Sequence, residues 1–219
     1  MKINKVDKFF IFTQEDSTCP VQKNAVNKTQ WEKNIFNLIK KYSDSNKNML
    51  DIGSYIGSHS IPASEYYKNI YSFEAVPKSY ELQQKSIGVN NIKNITLYNN
   101  FVSNTSNETV MIRTTKTGTG TSSVNRKLSH YNIEYPIQTI RIDDLQLNNI
   151  ALIKIDVETA EWEVLKSMDA LIKENKPIII LETFKTNTNK NKLIVFCSKY
   201  KYNYQKLTAD NYLLTPIII

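Results

Sequence analysis

Five short aliphatic runs, each closing on a glycine, an asparagine pair or an acid, constrain this chain more than any other feature. Met49-Leu50-Asp51-Ile52-Gly53 reads as a buried strand ending at glycine, and Ile70 to Phe73 as a second ending in Glu74. Ile95 to Tyr98 is a third, running into Asn99-Asn100. Ile150 to Ile155 ends in Asp156, and Ile178 to Leu181 ends in Glu182. Helical segments separate these runs. Ala160, Val164, Leu165, Met168 and Leu171 form one apolar helical stripe, with Glu158 and Glu161 near its start, where a helix dipole favours acids. Asn187 to Tyr200 contains another helix. A further strand is expected at Ile137 to Ile142, and an antiparallel edge from the segments around Tyr204 and Tyr212 to Ile217. Strands alternating with helices, with nearly continuous aliphatic runs, predict an α/β chain with a mostly parallel sheet covered on both faces. Ligands in such sheets bind beyond the carboxyl ends of the strands. Here those ends read Asp51-x-Gly53, Glu74, Asn99-Asn100, Asp156-x-Glu158 and Glu182, so the expected binding edge is acidic.

That acidity runs against the chain as a whole, which carries 28 basic and 21 acidic residues for a net charge of +7. Only Arg113, Arg126 and Arg141 are arginines, and the 25 lysines are scattered. With abundant Asn and Ile, this bias is what an AT-rich genome produces, whereas phosphate-reading sites favour arginine's fork. An anionic partner such as RNA stays open. The longest aliphatic run, Ile178 to Leu181, falls far short of the roughly 20 residues of a membrane span. Lys2, Lys5 and Lys8 precede only four apolar residues, which is not a signal peptide. Cys19 and Cys197 lie far apart and match no metal or redox spacing. The expectation is a soluble, reduced, cytoplasmic protein without a metal.

Residues 1–47 read differently from the rest. They are mixed and polar, with Trp31, Ile35, Leu38 and Ile39 at helical spacing before Lys40 and Lys41. This is a short cap helix on a domain spanning 48–219. The polar stretch Thr114 to Asn125, with Gly118 and Gly120, reads as a long loop and a candidate lid.

The turn Asp51-Ile52-Gly53-Ser54-Tyr55-Ile56-Gly57 follows a strand and opens a helix. Gly53 permits a sharp turn and close approach of a ligand to the backbone, and Gly57 permits close packing at the helix start. Glu74 stands 21 residues after Gly53 (74 − 53), where a carboxylate accepts both hydroxyls of a ribose. The G-x-G-x-x-G run that brings a pyrophosphate close is absent, which disfavours NAD. Asp51 within the turn would repel a pyrophosphate but suits an ammonium or a sulfonium. S-adenosylmethionine carries both.

Leu50 to Gly57, Phe73-Glu74-Ala75-Val76-Pro77, Ile142-Asp143-Asp144-Leu145 and the block from Ile153 to Lys166 together resemble the FkbM-type methyltransferases, in order and spacing, from about Trp31 to Glu182. The resemblance implies a class I, Rossmann-like methyltransferase fold with a mostly parallel seven-stranded sheet and a short N-terminal cap. It implies methyl transfer from S-adenosylmethionine to oxygen, often a sugar or polyketide hydroxyl. By the same resemblance Asp51 and Gly53, with Ser54, Tyr55 and Gly57 of the turn, surround the methionine part. Glu74 would take the ribose, and Ala75, Asn100 and Phe101 the adenine, with Asp156 at the reacting centre. Two positions depart from the family pattern. Ser54-Tyr55 stands where the family's turn usually reads alanine-asparagine, and Glu158-Thr159 where it has glutamate-glycine.

Asp156 and Glu158 are the candidates for orienting or deprotonating an acceptor hydroxyl. His59, one turn past Gly57, and His130, after the polar loop, are the two side chains whose ordinary titration suits a near-neutral base. A glycan or other small-molecule hydroxyl is the expected acceptor. An RNA ribose 2′-hydroxyl, or a cofactor-binding scaffold without chemistry, are the alternatives.

Overall fold

The computed structural model describes residues 1–15, 17–115, 133–183 and 186–217. The chain opens with an antiparallel hairpin, β1 (Lys2–Val6) and β2 (Phe9–Thr13), then α1 (Pro20–Val26) and α2 (Lys33–Lys41). Next come β3 (Asn48–Ile52), α3 (Ser60–Ala63), β4 (Ile70–Phe73), α4 (Pro77–Val89) and β5 (Ile95–Tyr98). A side sheet follows, made of β6 (Phe101–Val102), β7 (Thr109–Thr114) and β8 (Ile133–Ile140), and then a 3₁₀ turn at Ile142–Leu145. The chain continues through β9 (Ile150–Ile155), α5 (Glu161–Lys166), α6 (Asp169–Asn175), β10 (Ile178–Glu182) and α7 (Asn187–Tyr200). It ends with β11 (Tyr202–Lys206) and β12 (Asn211–Pro216). Proline begins α1 and α4, where a missing N–H costs nothing because that donor has no helical partner.

Seven strands form the main sheet in the order β11-β12-β10-β9-β3-β4-β5. The five central and β5-side strands run parallel, and β12 is antiparallel to both β10 and β11. The expected aliphatic strands and antiparallel edge are all present. The chain starts at β3 in the middle, moves outward to β5, and returns to β9 on the other side of β3. The order therefore reverses between β3 and β9, the place where open sheets leave a crevice.

Alternation along the central strands sorts side chains to two cores. Leu50, Ile52, Ile153, Ile155, Ile179 and Leu181 face one side and pack with α5, α6 and α7 residues such as Val164, Leu165, Ile172 and Phe196. Met49, Leu152 and Ile180 face the other and pack with Ile35 and Ile39 of α2 and Ala63 of α3. Each such aliphatic side chain contributes about 1.5–3 kcal/mol by leaving water. On this second face the alternation is interrupted by a polar row: Ser72 of β4 pairs in register with Asp51 of β3, which pairs with Lys154 of β9. All three are buried.

Several expectations are corrected. Ile137 to Ile142 is not a strand of the main sheet. Strand β8 ends at Ile140 and pairs with β6 and β7, and Ile142 begins the 3₁₀ turn, because Asp143 accepts the backbone N–H groups of Ala170 and Leu171. The stripe from Ala160 to Leu171 is two helices, broken at Ser167 and Met168. Trp31 precedes α2 rather than belonging to it, since Glu32 turns left-handed at φ 42°. The N-terminal segment also holds a hairpin, which docks on α4: Asn90 bonds both the N–H and the carbonyl of Phe10, and Ser86 Oγ accepts from Phe12 N–H. Beyond Thr115, the expected loop and lid, with Gly118 and Gly120, lie outside the described residues, as does His130.

Candidate functional site

A cavity of about 290 Å³ opens at the carboxyl ends of β3, β4, β9 and β10, above the reversal point. That size lies near the lower end of small-molecule sites, roughly 300–1,000 Å³. Gly53 turns the chain away from β3 at φ +82°, and a Cβ there would fall 1.8 Å from the carbonyl oxygen of Asp156. The turn thus lies directly on the end of β9, and only glycine fits. Gly57, at φ +83°, is held against Gln83 and Ile61, where a Cβ would come within 2.9 Å of each side chain.

Glu74 is buried at the end of β4 and is fixed by the turns around it. Tyr55 N–H donates to Oε2 at 2.8 Å and Val76 N–H to Oε1 at 2.7 Å. Each oxygen keeps a further lone-pair direction for a ligand hydroxyl. Burial pushes this carboxyl up to about 7, against the pull of those two amides. Beside it, Ala75, Val76, Phe101, Val102 and Ile112 give the cavity an apolar side, with Asn100 as its polar member, walled by the side sheet.

The opposite wall is acidic. Glu32, Asp156, Glu158 and Glu182 line it together with Trp31, and no Lys or Arg is among the described lining residues. Burial and the charge of Asp156 push Glu182 up to about 8, and burial raises Glu32 as well. Beneath this wall, Lys154 Nζ lies 3.0 Å from Asp156 Oδ2 and 3.7 Å from Asp51 Oδ1. Burial works against the ammonium, but Asp156, Asp51 and Glu32 more than offset it and hold Lys154 above its ordinary value.

The expected site residues separate into three groups. Gly53, Tyr55, Glu74, Ala75, Asn100, Phe101, Asp156 and Glu158 all line the cavity. Asp51, Ser54 and Gly57 lie beneath it. Asp51 Oδ2 accepts from Ser60 Oγ, and Ser54 Oγ donates to Gln83 Oε1 at 2.7 Å. His59 is buried outside the lining set, and its Nε2 has no hydrogen-bond partner among the described residues. Burial and the nearby Lys154 charge push it down to about 3, which leaves it a neutral imidazole. Cys19, Pro20 and Val21, at the start of α1, complete the wall, and sequence reasoning missed them with Trp31, Glu32 and Lys154. Tyr55 carries the contact between α1 and the turn, its OH accepting from Gln22 Nε2. Both departures from the family pattern sit at positive φ: Tyr55 at 55° and Thr159 at 73°. Asparagine and glycine adopt that region easily, whereas an aromatic or β-branched residue is strained there.

The residues fit an adenosine-bearing sulfonium. The Glu74 carboxylate presents its two free lone-pair directions, the slot beside it accepts a flat base, and the acids facing it suit positive charge. Among the described residues no group of three or more His, Cys, Asp or Glu side chains could hold a metal ion, and no helix is long and apolar enough to cross a membrane.

A family model, the methyltransferase FkbM domain, matches residues 51–206. Solved structures share the fold. A methyltransferase FkbM from Methylobacillus flagellatus KT is 17 % identical, with a TM-score of 0.56 over 78 % of this chain and 44 % of that one. This chain therefore spans less than half the length of that protein. A precorrin-6y C5,15-methyltransferase from Geobacter metallireducens GS-15 is 15 % identical, with a TM-score of 0.54 over 96 % of this chain and 94 % of that one. M. jannaschii TYW2, solved in complex with AdoMet, is 13 % identical, with a TM-score of 0.50 over 97 % of this chain and 82 % of that one. No curated protein matches the chain in sequence.

Proposed function

Because the chain belongs to the FkbM methyltransferase family, whose methyl donor is S-adenosylmethionine, we propose that it methylates a hydroxyl group of a sugar or glycan. The observation that carries this reading is the division of the cavity into a ribose-and-purine side around Glu74 and an acidic, aromatic side around Asp156 and Trp31. Carboxylates accept hydrogen bonds from sugar hydroxyls, and an indole face suits the apolar face of a pyranose. A polyanionic RNA chain calls for Lys or Arg at the site, and the described wall has neither.

S-adenosylmethionine supplies a methyl group on a positively charged sulfur, so the protein's task is alignment, charge and proton removal. Glu74 holds the ribose hydroxyls, and Gly53 and Tyr55 border the methionine part. Asp156, about a third exposed at the cavity, holds the acceptor hydroxyl and takes its proton as the oxygen is methylated, with Glu158 beside it.

Calorimetric titration with S-adenosylhomocysteine, beside NAD as control, tests the cofactor side, with micromolar binding to the former alone expected. Transfer of labelled methyl from S-adenosylmethionine to a panel of mono- and oligosaccharides tests the acceptor side. Labelling of RNA, with an affinity that falls steeply with salt, would overturn the sugar reading.

A further inference from the structure

We infer that Lys154 is a positioning residue of this site: its buried ammonium fixes the Asp156 carboxylate that faces the cavity and ties it, through Asp51, to the glycine turn. The inference rests on the role proposed for Asp156. Lys154 is the penultimate residue of β9, and its side chain is only 5 % exposed. It does not line the cavity, so it acts through another group.

A lysine buried in an aliphatic strand costs several kcal/mol of desolvation unless its charge is met. Here Asp156 Oδ2 at 3.0 Å and Asp51 Oδ1 at 3.7 Å meet it. Glu32, Glu74 and Glu182 are the other acids whose charges bear on this cluster, and His59 beside it stays neutral. Asp51 has its own supports. Ser60 Oγ donates to its Oδ2, Ser72 Oγ lies 2.9 Å from Ser60 Oγ, Gln83 Nε2 donates to Ser72 Oγ at 2.8 Å, and Ser54 Oγ donates to Gln83 Oε1. Ser60 uses its hydroxyl proton on Asp51, so Ser72 must donate to Ser60. Every donor along the chain is thereby directed toward one carboxylate. The series joins α4, β4, α3, β3 and β9, and its only member that lines the cavity is reached through Lys154.

Two roles for Lys154 make different predictions. If it only neutralises Asp51, removing both charges restores everything. If it positions Asp156, removing both restores the fold and leaves the chemistry impaired. The variants are therefore Lys154→Met and the charge-balanced pair Asp51→Asn/Lys154→Met, where the Asn side-chain oxygen can still accept from Ser60. The pair is expected to melt near the wild type. Its kcat is expected to fall about 10²-fold with acceptor KM nearly unchanged, the cost of a misplaced reacting group. Its Glu182 carboxyl, followed by carbon NMR, is expected to titrate at least about one pH unit above the wild type, because an opposing charge has left the wall. Wild-type kcat in the pair, or an unmoved Glu182 titration, overturns the inference. If the wild type methylates no sugar, the acceptor reading fails, and the kcat comparison is made on whichever hydroxyl substrate the enzyme labels.

Discussion

The two sides of the cavity are held by different kinds of contact. On the side of Glu74, backbone amides from nearby turns grip a carboxylate, and the glycine turn rests on the end of β9. On the side of Trp31 and Glu32, the wall is carried in by a segment anchored through side chains: α2 through Ile35 and Ile39, α1 through Gln22 on Tyr55, and the hairpin through Asn90 and Ser86. Backbone contacts tolerate little variation in position, whereas side-chain anchors can be exchanged while the sheet stays the same. The first side suits a ligand of fixed shape, and the second is where the acceptor side proposed above can vary without disturbing the sheet.

Substitutions can break this contrast, and the largest effect falls beneath both sides. Asp51→Ala is expected to destabilise the fold by about 3–5 kcal/mol, since it strips Lys154 of a buried partner, and chemical denaturation measures it. Glu74→Ala leaves the N–H groups of Tyr55 and Val76 without their acceptor. A tenfold or greater loss of S-adenosylhomocysteine affinity is expected by calorimetry, corresponding to about 1–3 kcal/mol for a buried partner lost. The same affinity should depend on pH. On the ribose role proposed for Glu74, whose carboxyl burial pushes up to about 7, the hydroxyls donate to its ionised form, so affinity is expected to weaken by up to about tenfold per unit as pH falls below 7. Glu74→Gln should flatten that slope. Stability runs the other way: Glu74 and Glu182 keep their protons to higher pH when folded than when unfolded. Melting temperature should therefore decline between about pH 5 and 8 as the folded carboxyls are forced to ionise.

On the cap side, Trp31→Ala should raise acceptor KM about fivefold, the scale of one lost aromatic contact, and leave S-adenosylhomocysteine affinity within twofold. If both affinities drop together, the division of the cavity is wrong. The smallest effect is expected at Thr159. Glycine would relieve its φ of +73° but gain entropy when unfolded, so Thr159→Gly should add about 1 kcal/mol or less and raise the melting temperature by a few degrees.

The sheet was legible because its strands are aliphatic and its ends are punctuated by Gly53, Glu74, Asp156 and Glu182. The spacing from Gly53 to Glu74 pointed to a carboxylate beside the glycine turn, and both residues line the same cavity. The polar row was harder to read. Asp51 reads from the sequence as a group for a ligand's positive charge, and within the chain it also meets the ammonium of Lys154, which has no role in that reading. The sign of both is a charge flanked by aliphatic residues near the end of a buried strand, and the two pair in register on neighbouring strands. The hairpin escaped notice because its first strand, Lys2 to Val6, is mostly polar, although Asp7 adopts the left-handed turn conformation at φ 51°. The cap wall left no local signal at all, because Cys19, Trp31 and Glu32 acquire meaning only when their segment docks on distant strands.

The seating of Gly53 on Asp156 also bears on how the chain reaches this state. The two residues are 103 apart in sequence (156 − 53), and they meet only after β4, β5 and the side sheet have been passed and β9 has returned beside β3. Contacts of that span close late, since the entropy of the intervening loop must be lost first. A nascent or partly folded chain therefore has the Gly53 turn and Glu74 without the floor they rest on, and retains no cofactor. Cofactor retention is thus a readout of completed folding, and saturating S-adenosylhomocysteine should slow unfolding while leaving the refolding rate unchanged.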